Sequence, residues 1–115
     1  MASYLITGCS RGLGLALTSH LLTFPSTEVG TVIATSRTEA PALNDIVLKS
    51  GGRVKYIQLD ATNESSIQGA VVEAENILGE KGLDVLINNA GILRFALDGI
   101  TSMYFPYPHV FLVQD

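Results

Sequence analysis

The chain has 115 residues, of which 47% are apolar and 16% charged, so it is long enough for one small domain with an apolar core and too short for two. Its formal net charge of −4 excludes a broad basic surface for nucleic acid, and its single cysteine excludes an internal disulfide framework. The sequence has no secretory leader and no apolar run near the ~20 residues that a membrane helix needs, so we expect a cytoplasmic protein.

The first predicted elements are a strand, a helix and a second strand. Residues 4–6 form a short apolar run, which is typical of a buried strand. Leu13, Leu17 and Leu21 recur at helical spacing and predict an amphipathic helix. Residues 31–35 are apolar and mostly β-branched, which predicts the second strand.

A second helix and a third strand follow. Leu43, Ile46 and Val47 have the i, i+3, i+4 spacing of one helix face, and the glycine pair at 51–52 stops this helix. Residues 54–59 predict the third strand.

The clearest amphipathic pattern comes next. Apolar residues recur at helical spacing over residues 67–78, and we expect Thr62 to cap this third helix at its N-terminus. Gly79 and Gly82 bracket the end of the helix. Residues 85–87 then form the fourth apolar strand.

The order of these elements predicts the fold class. Strands that alternate with helices indicate right-handed βαβ units and a parallel sheet. Most of the strands are continuous apolar runs, as expected when helices cover both faces of the sheet. We therefore predict an α/β fold with a doubly wound parallel sheet, truncated after about four strands. The domain covers residues 1–92, and residues 93–115 form a divergent, irregular C-terminal tail.

A glycine-rich turn joins the first strand to the first helix. It reads Thr7-Gly8-Cys9-Ser10-Arg11-Gly12-Leu13-Gly14. Gly8 permits the tight turn, Gly12 lets the backbone approach a pyrophosphate, and Gly14 lets the helix pack close to the strand. The helix N-terminus offers free N–H groups and a positive dipole end to the anion. The strand before the turn and the helix after it indicate a Rossmann-type nucleotide site; the alternative is a glycine-rich turn without a ligand.

The end of the second strand indicates which nucleotide binds. In a NAD-binding unit, an Asp or Glu about 20 residues beyond the glycines accepts the ribose 2′-hydroxyl. Here the strand ends in Thr35-Ser36-Arg37, without a carboxylate, and a guanidinium can hold a 2′-phosphate. Arg11 adds a second positive charge nearby. We therefore expect NADP(H) in preference to NAD(H); the alternative is that Arg37 is a solvated loop residue.

Three features together resemble the short-chain dehydrogenase/reductase family. They are the spacing of Gly8, Gly12 and Gly14, the acidic Asp60 after the third strand, and the run Asn88-Asn89-Ala90-Gly91 after the fourth. The stretch is similar to the carbonyl-reductase-like and C-factor-like members, and the resemblance covers residues 3–92. It implies an oxidoreductase that reduces carbonyls or oxidises alcohols by hydride transfer with a nicotinamide cofactor.

The resemblance also implies a set of cofactor-binding residues. The glycines would line the pyrophosphate turn, and Ser10, Arg11, Ser36 and Arg37 would lie beside the adenosine ribose and its 2′-phosphate. Asp60 and Ala61 would contact the adenine. The Asn88 segment would support the sheet and the cofactor ribose. The full set is Gly8, Ser10, Arg11, Gly12, Leu13, Gly14, Ser36, Arg37, Asp60, Ala61, Asn88, Ala90 and Gly91. Two alternatives stay open, a helix-capping role for Asp60 and a purely structural turn at Asn88-Asn89.

The chain lacks the residues that the family's chemistry requires. That chemistry needs an acid/base Tyr, a Lys four residues later and a Ser that holds the substrate oxygen. The fourth residue after the four tyrosines is Gly8, Asp60, Pro108 and Phe111 in turn. We therefore expect no catalytic residue and little or no catalysis from this chain alone, and its status as an enzyme stays open.

Other reactive side chains predict no further chemistry. The two histidines, His20 and His109, have few polar neighbours in sequence, and no metal-ligand cluster is found. Cys9 lies near a helix N-terminus, where a thiolate is favoured, but a small packed residue is the preferred interpretation.

The predicted edge of the sheet indicates a partner, a second copy of this chain. A sheet that ends at residues 85–87 exposes an apolar edge, which invites self-association. The alternative is a crossover through residues 91–108 that pairs residues 109–113 beside the fourth strand.

The alternative function is a non-catalytic nucleotide-binding or sensor module. A methyltransferase that binds S-adenosylmethionine is disfavoured, because it would carry an acidic residue after the second strand.

Overall fold

The computed structural model of the chain describes residues 1–89 and 111–114. These ranges contain five strands, three helices and a short 3₁₀ turn at Gly79–Lys81. The strands are β1 (Ala2–Ile6), β2 (Val29–Ser36), β3 (Val54–Gln58), β4 (Val85–Asn88) and β5 (Phe111–Gln114). The helices are α1 (Gly12–Leu21), α2 (Pro41–Lys49) and α3 (Glu64–Leu78). The predicted strands and helices of residues 4–87 are therefore confirmed, with boundaries that differ by a few residues.

The strands form one parallel sheet in the order β3-β2-β1-β4-β5. Successive residues of β1 point to opposite faces, so Leu5 packs in the cluster under α3 while Ile6 packs in the cluster under α1 and α2. Because both faces are covered, the central strands β1 and β2 carry apolar residues on both faces. The predicted doubly wound α/β class is confirmed.

The buried face of α1 matches the predicted one only in part. Gly14, Thr18 and Leu21 are buried, whereas Leu13 is 54% exposed and Leu17 is only partly buried. Thr18 is tolerated inside because its hydroxyl donates to the Gly14 carbonyl at 2.8 Å. The leucine spacing located the core side of the helix correctly at Leu17 and Leu21, but not at Leu13, because Gly14, which has no side chain, is the residue that approaches the sheet.

The predicted N-cap of α3 is also wrong. Asn63, not Thr62, precedes the helix, and its side chain accepts a hydrogen bond from the Ser66 N–H at 3.0 Å. The Thr62 hydroxyl instead donates a hydrogen bond to Asp60 Oδ1, two residues earlier in the chain.

The sheet does not end at the fourth strand. β5 pairs with β4 in parallel, with Val85 opposite Phe111 and Asn88 opposite Gln114. The predicted sheet of about four strands is thus present and carries one more strand, β5, at residues 111–114, where the alternative placed a strand at residues 109–113. β4 lies between β1 and β5, so in the described residues it has no exposed edge through which the expected self-association could occur.

Several predictions lie outside the described residues. These are the domain boundary at residues 92 and 93, the irregular tail up to residue 110, and the cofactor positions Ala90 and Gly91. Within the described ranges, no helix is both long enough and apolar enough to cross a membrane.

The close packing of Gly14 gives a stability prediction. Gly14→Ala should lower the free energy of unfolding by about 1–3 kcal/mol, because the new Cβ would overlap the Gly8 carbonyl and the Asn89 side chain. The matched control, Gly69→Ala in α3, has no atom within 4 Å of an added Cβ and should raise it by about 0.5–1 kcal/mol. Urea unfolding followed by circular dichroism measures both, and equal changes in the two variants would contradict the prediction.

The position of β5 predicts how the sheet edge behaves. Deletion of residues 111–115 exposes the backbone N–H and C=O groups of β4, so this variant should self-associate more strongly than the full chain. Sedimentation velocity over a concentration series measures the difference, with deletion of Asp115 alone as the control. Identical sedimentation of all three chains would show that β5 does not protect β4.

Candidate cofactor site

A cleft of about 610 Å³ lies where the carboxyl ends of β1, β2 and β3 meet the start of α1. In a doubly wound sheet this edge, near the point where the strand order reverses, is where ligands bind. The described residues that line the cleft come from four segments of the chain. They are Thr7, Gly8, Ser10, Arg11, Gly12, Leu13, Thr35, Ser36, Arg37, Leu59, Asp60, Ala61, Thr62 and Asn89.

The floor of the cleft is the glycine turn. Gly8 and Gly12 have φ of 70° and 62°, in the left-handed region that residues with a side chain rarely adopt. α1 begins at Gly12, no side chain caps it, and its first turn holds no acidic residue. The first N–H groups of the helix and the positive end of its dipole are thus left for an anion.

Gly14 lies behind the cleft and sets how closely α1 approaches the sheet. A Cβ at this position would overlap the Gly8 carbonyl and would lie 2.7 Å from Asn89 Nδ2. Asn89 Nδ2 donates to the same Gly8 carbonyl at 3.3 Å. Gly14 therefore keeps the N-terminus of α1 within reach of the cleft without lining it, as the helix-packing role predicted.

The end of β4 is tied to the glycine turn through Thr7. The Asn89 N–H donates to Thr7 Oγ1 at 2.9 Å, and Thr7 Oγ1 lies 3.3 Å from Asn88 Oδ1. Asn88 is buried under the sheet end, its Nδ2 has no partner among the described residues, and it does not line the cleft. Asn89 is the member of the pair that the structure brings to the site.

Two arginines face solvent at the cleft. Arg11 and Arg37 are exposed, and neither forms a salt bridge within residues 1–89. The Ser36 side chain is buried, with Oγ 2.6 Å from the Thr38 carbonyl and 3.1 Å from Tyr56 Oη. Arg37 and Arg11 therefore have side chains free for a ligand, whereas the Ser36 hydroxyl already has protein partners.

Asp60 closes the cleft on the β3 side. Its Oδ1 accepts hydrogen bonds from the Thr62 hydroxyl at 2.6 Å and from the Thr62 N–H at 3.0 Å. These two bonds, and to a smaller extent the charge of Arg37, lower the pKa of the Asp60 carboxyl. Asp60 is thus an ionised residue of a local turn, and the alternative that it caps α3 is wrong, because Asn63 does so.

Cys9 is a packed residue. It is fully buried, its Sγ lies 3.2 Å from the Ile6 carbonyl, and burial raises the pKa of its thiol. This agrees with the preferred interpretation of Cys9 and opposes a reactive thiolate. His20 packs edge-on against Phe24, with ring centroids 5.4 Å apart. The described residues contain no group of His, Cys, Asp and Glu side chains that could hold a metal ion.

Five cleft residues were not among the predicted site residues. They are Thr7, Thr35, Leu59, Thr62 and Asn89. Each lies at or within a few residues of the end of a strand, so the rule that parallel strands deliver their carboxyl ends to one edge was the signal that could have found them.

The described residues line a second cleft, of about 510 Å³, at the amino ends of the strands. Ser3 and Asp84 close its base, where the Ser3 N–H donates to Asp84 Oδ2 at 2.8 Å. Neither the Gly8–Gly14 turn nor the start of α1 lines this cleft, and no predicted site residue does so.

Residues 3–103 match the family model described as short chain dehydrogenase. Among curated proteins, the chain is 35% identical over 89 residues to norsolorinic acid ketoreductase of Aspergillus parasiticus, a match that covers 77% of this chain and 33% of the relative. It is 36% identical over 90 residues to the 3-oxoacyl-[acyl-carrier-protein] reductase FabG of Aquifex aeolicus, which covers 78% of this chain and 35% of that protein. The chain spans about a third of the length of these relatives.

The solved structures that resemble this chain include two carbonyl reductases. The carbonyl reductase Sniffer of D. melanogaster superposes with a TM-score of 0.70 at 37% identity, over 80% of this chain and 37% of that one. An NADPH-bound carbonyl reductase from chicken fatty liver gives a TM-score of 0.70 at 34% identity, over 82% of this chain and 36% of that one.

The geometry around Asp60 predicts its titration. Because the hydrogen bonds from Thr62 favour the ionised form, the Asp60 carboxyl should titrate below the value of about 3.9 of a free Asp. A lowered pKa in the folded state means that this group stabilises the fold above its unfolded pKa, and that the contribution is lost as the pH falls through the folded pKa.

Carboxyl carbon NMR of the labelled chain measures this titration directly. Thr62→Val, which keeps the shape of the side chain but removes the hydroxyl, should raise the Asp60 pKa. Thr38→Val, a change of the same kind at an exposed position, should leave it unchanged. An Asp60 pKa that does not respond to Thr62→Val would contradict the assigned cause.

Proposed function

The chain belongs to the short-chain dehydrogenase family, and we propose that its cleft binds the dinucleotide NADP(H) in preference to NAD(H). The observation that carries this proposal is the pair of exposed arginines, Arg11 and Arg37, at a cleft whose β2 side has no carboxylate. In a chain with a net charge of −4, this local concentration of positive charge is a specific feature and not a property of the whole surface.

The glycine turn fits the pyrophosphate of such a cofactor. The uncapped start of α1 supplies N–H donors, and the positive φ of Gly8 and Gly12 shapes the backbone around them. Because Gly14 has no Cβ, α1 packs closely against the Gly8 carbonyl. This packing brings the N–H donors to the cleft. Gly8, Gly12 and Leu13 are thus the residues that would hold the pyrophosphate.

Arg37 distinguishes the two cofactors. A 2′-phosphate carries negative charge that an acidic residue at the end of β2 would repel, whereas the Arg37 guanidinium can bind it with charge-assisted hydrogen bonds. Arg11 approaches from the glycine turn. The similar NADPH-bound carbonyl reductase supports the same choice of cofactor.

Asp60 and Ala61 would form the adenine side of the cleft. Asp60 uses Oδ1 for the Thr62 bonds, so Oδ2, which forms no hydrogen bond to the described residues, can accept one from a ligand. Asn88 would support the end of β4, and Asn89 would hold the glycine turn against it.

The reaction class proposed for the family member is hydride transfer between this cofactor and a carbonyl or alcohol. The bound dinucleotide supplies or accepts the hydride, and the residues of this chain hold it and fix its orientation. No Tyr of the 115 residues is followed by Lys at the fourth position. We therefore propose that these residues bind the cofactor but do not by themselves catalyse the transfer.

An alternative function uses the same cofactor and the same cleft. A non-catalytic nucleotide-binding module would use the same cleft and would report cofactor occupancy to a partner. The two proposals differ in one measurement, since a module of this kind recruits a partner protein in a way that depends on bound NADPH.

Calorimetric titration with NADPH and NADH tests the cofactor assignment. The wild-type chain should bind NADPH more tightly than NADH. Arg37→Ala should weaken NADPH binding by about tenfold to a hundredfold, the cost of losing hydrogen bonds to a charged group, and should leave NADH binding almost unchanged.

Lys81→Ala is the matched control. Lys81 is also an exposed cation, but it lines the cleft at the opposite end of the sheet, so its loss should change neither affinity. Equal affinity of the wild-type chain for the two nucleotides would refute the NADP(H) preference. Failure to bind either nucleotide would refute the site.

A further inference from the structure

Arg37 stands just beyond the last residue of β2, where the sheet no longer holds the chain. Ser36 opposite Gln58 is the final pair of the β2–β3 ladder. Arg37 is exposed and forms no salt bridge within residues 1–89. The direction of its side chain therefore depends on what fixes the backbone at residues 36–38.

That backbone is held from the β3 side. The Ser36 carbonyl accepts from the Leu59 N–H at 2.9 Å and from the Tyr56 hydroxyl at 3.2 Å. The Arg37 carbonyl accepts from Gln58 Nε2 at 3.2 Å. Residues of one edge strand thus bind two successive carbonyls of the segment that carries Arg37.

Tyr56 is the centre of this arrangement. Its ring packs against the core cluster under α1 and α2, so the position of its hydroxyl is fixed by packing. The hydroxyl contacts Ser36 twice, at the carbonyl and at Oγ, and Ser36 Oγ in turn lies 2.6 Å from the Thr38 carbonyl. Tyr56 thereby links the residues on both sides of Arg37 to the core.

We propose that Tyr56 is a positioning residue that holds Arg37 ready for a 2′-phosphate, so that a side chain of the edge strand β3 helps to set the preference for NADP(H) over NAD(H). Holding the loop before the ligand arrives removes the entropy that binding would otherwise lose on ordering it. We expect the effect to be confined to the phosphorylated ribose, since the pyrophosphate would be held by the glycine turn, on another element. This inference rests on the proposed function of the same cleft.

The test is the ratio of NADPH to NADH affinity in the full chain, measured by calorimetry. Tyr56→Phe keeps the packed ring and removes only the hydroxyl, and it should weaken NADPH binding by about threefold to tenfold, the effect of one neutral hydrogen bond. NADH affinity should change by less than about twofold. Tyr4→Phe is the control, because Tyr4 packs on the same cluster and its hydroxyl has no hydrogen bond among the described residues.

A second pair of variants separates positioning from a general loss of structure. In an Arg37→Ala background, Tyr56→Phe should cause no further loss of NADPH affinity, since the group that Tyr56 positions is absent. Gln58→Leu, at an exposed position, should reduce the NADPH preference in the same direction and gives the same test if Tyr56→Phe does not fold.

Each outcome decides the inference. A reduced preference that disappears in the Arg37→Ala background supports it. An equal loss for both nucleotides, or a loss that persists without Arg37, assigns Tyr56 a structural role only and overturns it. A wild-type preference that Tyr56→Phe and Gln58→Leu leave intact overturns the inference and keeps the proposed function. Equal binding of the two nucleotides by the wild-type chain overturns both.

Discussion

The close contact between Gly14 and the Gly8 carbonyl is the constraint on which the site depends. Only a residue without a Cβ lets α1 approach the turn after β1 this closely, and that approach places the uncapped N-terminus of the helix at the cleft. The same contact decides the buried face of α1, because the helix must turn Gly14 and Thr18 inward and leave Leu13 outside. Helix orientation, cleft shape and anion-binding donors therefore follow from a single small residue.

The parallel sheet converts this local contact into a composite site. Its strand order brings the ends of β1, β2 and β3 to one edge, although they are far apart in the chain. Asn89 joins from the end of β4, and its side chain donates a hydrogen bond to Gly8 of the glycine turn, 81 positions earlier in the sequence. β5 then pairs with β4, so the strand that ends at Asn88, just before Asn89, lies inside the sheet and not at its edge.

The cleft has a positively charged side chain, Arg37, after β2 and a negatively charged one, Asp60, after β3. The Arg37 guanidinium is free toward solvent, whereas the Asp60 carboxylate is held by its own turn through Thr62. An acidic residue therefore lies in a cleft that is suited to an anionic cofactor without pairing directly with the arginine. Asp60 follows β3 and not β2, and although it forms no salt bridge with Arg37, the charge of Arg37 contributes to lowering its pKa.

The sequence by itself determined the order and type of the elements of residues 4–87, the glycine turn, and the two arginines of the cleft. These features are written in local patterns: apolar periodicity, glycines at fixed spacing, and a strand that ends in Arg instead of Asp. Only the tertiary structure decided that Gly14 and not Leu13 faces the sheet, that Asn89 and not Asn88 reaches the cleft, that Asn63 takes the cap expected of Thr62, and that Tyr56 bonds to Ser36. Each of these outcomes depends on a contact between residues that are far apart in the chain, and the geometry of that contact is set by how the helices pack on the sheet. A periodic sequence pattern does not show which of two neighbouring side chains makes such a contact.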